Sequence, residues 1–153
     1  MTNSAIQDQL TESAQVATVL EMADAAHMTD IDVAEAVENG LPVATVDALA
    51  LRVNTFEVGA VFKVISESTY RRALQNERQR LSPGASEKVY DLARVLANSA
   101  VLFRGDWEKI ARFMSLPNQA LGGRKPFELA RSSRAGADAV VRMIGAARAG
   151  VAL

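Results

Sequence analysis

Four arginines, Arg71, Arg72, Arg78 and Arg80, fall within ten residues, and only Glu77 offsets them. Guanidinium groups at that density donate to phosphate oxygens and to base edges. Ser66 stands just ahead of them, followed by Glu67-Ser68-Thr69, a pattern that caps a helix start. In a helix-turn-helix the second helix enters the major groove, where residues near its N-terminus reach bases and flanking cations hold phosphates. Ser66, Glu67, Ser68, Arg71, Arg72 and Arg78 are the DNA-contact candidates on that reading, with Ile65, Tyr70 and Leu74 facing inward. A solvated surface helix also carries arginines, so the residues alone leave both readings open. Val64 stands where such turns often have glycine, which requires a turn made without positive φ.

Other chemistries find little support. The single histidine, His27, has no second ligand at metal spacing, and there is no cysteine. Gly122-Gly123-Arg124-Lys125 lacks the preceding strand of a phosphate cradle. The acid pairs Asp30/Asp32 and Glu35/Glu38 suit a helix start and a solvated face. No catalytic residue, metal site or cofactor is expected, and the chain is read as a non-enzyme. Without an apolar run of 18 residues or a basic leader, it is expected in the cytoplasm and off the membrane.

Charge is distributed unevenly. The net charge is −1, but residues 1 to 50 hold nine Asp/Glu and no Lys or Arg, leaving 17 bases against 9 acids in the remainder. That remainder, at +8, is suited to a polyanion.

The elements that must position these residues read as all-α, because no window shows sustained period-2 alternation. Residues 4 to 27 form either a helix or a mobile tail. A helix from Ile31 to Glu38 is expected, capped by Asp30 and stopped by Asn39-Gly40, then one from Pro42 to about Arg52. Asn54-Thr55-Phe56-Glu57 has capping-box spacing and predicts a helix to about Lys63. Ser66 opens the arginine-bearing helix, expected to continue toward Arg80. Ser82-Pro83 opens a long helix with the stripe Val89, Leu92, Ala93, Leu96 and Ala100, ended by Gly105. Asp106 caps a helix holding Trp107, Ile110 and Phe113, whose spacing is that of core residues more than of a groove. Residues 117 to 123 read as a turn, Pro126 opens a one-turn helix, and a last helix spans about Arg134 to Ala149. The apolar Val151-Ala152-Leu153 that closes the sequence is expected to fold back or to dock into a partner.

From Gln79 onward the sequence resembles the toxin-binding domain of the Xre/MbcA/ParS antitoxins. The resemblance is carried by Arg80-Leu81-Ser82, Leu92-Ala93-Arg94-Val95, Trp107, the run Leu116-Pro117-Asn118-Gln119-Ala120-Leu121-Gly122-Gly123, Pro126 with Leu129, and Gly136, Val140, Ile144 and Gly150. Residues 41 to 78 are similar to the helix-turn-helix half of the same family, best at Ile65-Ser66 and Thr69-Tyr70-Arg71-Arg72. One departure is Ala130-Arg131-Ser132-Ser133-Arg134, where the family often has an acidic residue and threonine; it bears on which toxin is accepted.

The resemblance implies an Xre/Cro-like helix-turn-helix domain packed on a C-terminal helical toxin-binding domain. The expected divisions are an acidic extension over 1–30, the DNA-binding domain over 31–80 and the toxin-binding domain over 81–153. It further implies a homodimer that neutralises a RES-domain, NAD-depleting toxin by blocking its active site and represses its own operon by binding operator DNA. Arg142, Arg148, Gly150, Val151 and Leu153 are the toxin contacts it implies. The alternative is a homodimeric helix-turn-helix transcription regulator with no toxin partner.

Overall fold

The computed structural model describes residues 10–150, which contain nine α-helices and no strand. Helix α1 spans Glu12–Val19, α2 Asp30–Glu38, α3 Ala44–Val53, α4 Val61–Val64, α5 Glu67–Gln75, α6 Pro83–Leu102, α7 Trp107–Ser115, α8 Pro126–Ser132 and α9 Arg134–Arg148. Single 3₁₀ turns occur at Ala25–His27 and Gln119–Leu121. An N-terminal helix-turn-helix domain is followed by a C-terminal helical domain, and one continuous core runs through both.

That core is organised by α6. Ser82 accepts from the Ala85 N–H, and Pro83 occupies the first turn, where its missing donor costs nothing. The expected stripe of Val89, Leu92, Ala93, Leu96 and Ala100 is buried, and so are Val95, Ala97 and Ser99 on its other sides. A helix apolar on several faces must be wrapped. Helices α1, α2 and α3 cover it from the N-terminal half, and α8 and α9 from the C-terminal half.

Charged groups fix the wrapping. Arg94 on α6 reaches Asp138 of α9 at 2.6 Å and Glu12 of α1 at 3.3 Å, and Glu12 also accepts from Asn98 at 2.9 Å. The hydrogen bond from Arg94 holds the Asp138 carboxyl below its ordinary pKa. Arg134 bridges to Glu87 and Asp91, each at 3.2 Å. Asp91 is pushed the other way, because its burial outweighs the attraction of Arg134.

Several boundaries differ from the sequence expectation. Within the reading of 4–27, residues 4–9 lie outside the described residues, and the helix covers only Glu12–Val19. It ends in a left-handed closure, with Glu21 at φ +53 and the Met22 N–H bonded to Ala17 O. Glycine is usual there, so no sequence signal marked the stop. Thr29 caps α2 in place of Asp30, in a reciprocal box with Asp32. Asn54 opens no helix: it closes α3, and its Oδ1 accepts from the Val61 N–H at 3.0 Å across the turn, leaving α4 a single turn.

Helix α5 stops at Gln75 rather than near Arg80, because the Asn76 side chain pairs with both the N–H and the carbonyl of Arg80. This folds 76–80 back toward Gly40–Val43, where Leu81 donates to Leu41 O and Arg80 to Gly40 O. Ala73 takes the inward position expected for Leu74, which is 39% exposed. Helix α8 has two turns rather than one.

The α8–α9 crossing requires glycine. A Cβ built on Gly136 would stand 2.0 Å from the Leu129 carbonyl oxygen. Alanine normally favours a helix interior over glycine, but here a methyl group has to push backbone away. Gly136→Ala is therefore expected to destabilise by about 1–3 kcal/mol, lowering Tm by several degrees in a thermal melt. An unchanged or higher Tm would contradict this close packing.

Candidate functional site

The turn between α4 and α5 forms without glycine. Ile65 adopts extended backbone, φ −129 and ψ 145, and its side chain is buried. This answers the conformational requirement raised by Val64. Ser66 then caps α5, accepting from the Thr69 N–H at 3.1 Å, with its hydroxyl also bonded to those of Ser68 and Thr69. Tyr70 packs edge-on against Phe62 at 5.9 Å and donates to Asp47 of α3 at 2.8 Å. That hydrogen bond raises the Tyr70 pKa and locks the rotation of α5 on the body.

With Tyr70 and Ala73 inward, the outer face is determined. Glu67, Ser68, Arg71, Arg72 and Gln75 line one shallow concavity of about 410 Å³. Glu67 and Arg71 form an exposed ion pair at 2.7 Å that uses only Nη2 of the guanidinium. The concavity thus offers two guanidinium groups, a carboxylate, an amide and a hydroxyl to the outside. These groups match the donors and acceptors of base edges and phosphates. Gln75 was missed by the sequence reading, although it lies four residues beyond Arg71 and so on the same stripe. Arg78 does not line this concavity; it is exposed in the turn after α5. Ser66 turns its hydroxyl toward the cap.

The second set of residues lies on and after the last helix. Arg142 and Arg148 project from α9 and are exposed, and Gly150 follows with φ +82. Val151 and Leu153 lie outside the described residues. Arg148 is in the last turn of α9, where a cation complements the negative end of the helix dipole.

The two halves also meet at two aromatic contacts. Arg52 of α3 lies 4.1 Å from the centroid of the Trp107 ring in α7, and Phe56 stacks edge-on against Phe127 of α8 at 5.6 Å. Trp107 and Phe113, expected in the core, are only partly buried, whereas Ile110 is fully buried. Among the described residues no cluster of His, Asp and Glu is arranged to hold a metal ion, and no helix is long and apolar enough to cross a membrane.

Comparison with known families matches both halves. Residues 32–94 match the antitoxin Xre-like helix-turn-helix domain, and residues 99–150 match the antitoxin Xre/MbcA/ParS C-terminal toxin-binding domain. No curated protein matches the chain. The two matches follow one another in the order in which the helices build the fold, and α6 passes from one to the other. The chain belongs to the Xre/MbcA/ParS-type antitoxins.

Proposed function

We propose that this antitoxin neutralises a RES-domain, NAD-depleting toxin by direct binding over the toxin's active site, and represses its own operon through α5. The observation that carries the reading is the presence of both family domains on one chain, each with an exposed cationic surface. A blocking protein needs complementarity that excludes substrate and no reaction of its own. The RES identity of the toxin, the homodimeric state and the cytoplasmic location follow from the resemblance of the sequence to the family.

On this reading the DNA-binding part is residues 31–80 and the toxin-binding part 81–153, with residues 1–30 an acidic extension. Arg142, Arg148 and Gly150, with Val151 and Leu153 beyond them, are assigned to the toxin's NAD pocket, where guanidinium groups meet acidic or phosphate-binding surroundings. Ser66, Glu67, Ser68, Arg71 and Arg72 are assigned to the operator, and Arg78 to a flanking phosphate.

The test is NAD consumption by the purified product of the adjacent reading frame, with and without this protein at stoichiometric ratio. NAD loss that stops on addition, with the two proteins co-eluting, is the expected result. A neighbour that leaves NAD untouched, or ignores this protein, would favour a transcription regulator without a toxin.

For the operator, Arg71→Ala combined with Arg72→Ala is expected to weaken binding and to reduce the slope of log K against log salt by about 1 to 2. A wild-type slope in the double variant would remove α5 from the DNA interface.

A further inference from the structure

The C-terminal domain carries an apolar groove well separated in character from the arginine-bearing end of α9. Phe103 and Phe113 pack with centroids 5.4 Å apart and planes at 49°, and neither ring is fully buried. Leu116, 53% exposed, and Pro117 complete an open groove of about 360 Å³ with Lys109 and Arg112 also lining it. No carboxylate lines the groove. Arg112 has no ion pair among the described residues, and Lys109 has only Asp106, at 3.9 Å.

The exposure of these apolar groups is built into the chain. Helix α7 buries Ile110 and Met114, and its capping residue Leu116 is extended at φ −109 and ψ 143. The turn beyond Pro117 is closed by four bonds to Asn118: its N–H donates to Arg124 O, its carbonyl accepts from Leu121 and Gly123, and its Oδ1 accepts from Ala120. A fixed turn thus holds Leu116-Pro117 outward, where an unpaired leucine gains nothing from water.

Two observations say what covers the groove. It lies wholly within residues 99–150, the part that matches a toxin-binding domain, and the adjoining 119–121 turn packs on α9, which carries Arg142 and Arg148. Its cations, without compensating carboxylates, select an occupant of opposite charge.

We propose that this groove is a toxin-docking site, in which an apolar side chain of the toxin seats against Phe103, Phe113 and Leu116 while toxin carboxylates flanking it meet Lys109 and Arg112. The assignment rests on the toxin-binding reading and adds a second contact surface to it. A small apolar anchor in a pocket with a charged rim is the arrangement that concentrates binding energy.

The test uses the full chain with Leu116→Asp, and separately Lys109→Glu with Arg112→Glu, all at exposed positions. Calorimetric titration of the purified product of the adjacent reading frame measures affinity, and sedimentation of the free protein measures self-association. Circular dichroism melts confirm folding. Leu116→Asp is expected to weaken toxin binding by roughly tenfold or more. The charge reversal should weaken it at low salt and converge on wild type at high salt.

Wild-type affinity in both variants would overturn the groove assignment alone. Loss of self-association with toxin affinity unchanged would also overturn it, and would assign the groove to a second copy of this chain. If the unaltered protein does not bind the toxin, the toxin-binding reading and this inference fall together.

Discussion

Burial of α6 on almost every side is the constraint from which the rest of the structure follows. Each fully buried valine or leucine on such a helix contributes about 1.5–3 kcal/mol relative to exposure, and net stability for a domain is only about 5–15 kcal/mol. Val89, Leu92, Val95 and Leu96, all buried, therefore cannot be left uncovered by either half. The N-terminal helices supply one wall and α8–α9 the other, so the two domains share a helix instead of a linker. The polar groups on α6 serve the same end: Ser86 donates no charge but accepts from the Leu41 N–H at 2.8 Å, and Arg94 ties α1 and α9 to the same turn. A buried polar group left without a partner would cost more than these bonds return.

Fixed packing is what makes the outer surfaces usable. The outer face of α5 is oriented by Tyr70 on Asp47, and the body beneath it is held to the C-terminal domain by Arg52 on Trp107 and Phe56 on Phe127. The first third of the sequence carries acids and no Lys or Arg, while the remainder, which holds the surfaces assigned to operator and toxin, has 17 bases against 9 acids. Recognition here depends on donors, charge and shape, so rigid placement is the property the fold has to deliver.

Much of this was legible in the sequence. Ser66, Ser82-Pro83, Asp106 and Gly40 act as caps or stops because hydroxyl and carboxylate acceptors, proline and glycine have local physical preferences that survive tertiary context. The stripe on α6 was legible for the same reason. What escaped was conformation imposed by packing. Glu21 takes positive φ, at +53, to close α1 where glycine would have announced the turn. Asn54 has the chemistry of a helix opener but is used to cap across a turn, and Asn76 ends α5 by pairing with Arg80. Of the site, the arginine stripe of α5 could be read directly, whereas Gln75 needed the helix phase. The groove at Phe103 and Phe113 needed the fold, since aromatics at helical spacing ordinarily signal core.

The central claim is that α6 makes one cooperative unit of the two domains. Native-state hydrogen exchange of the free protein tests it most directly, by comparing the slowest amides of α3, α6 and α9. The account predicts a common opening free energy for all three, equal to that of global unfolding. Two separate values, with α3 and the first half of α6 opening independently of α9, would show that the halves are distinct domains in contact and would contradict it.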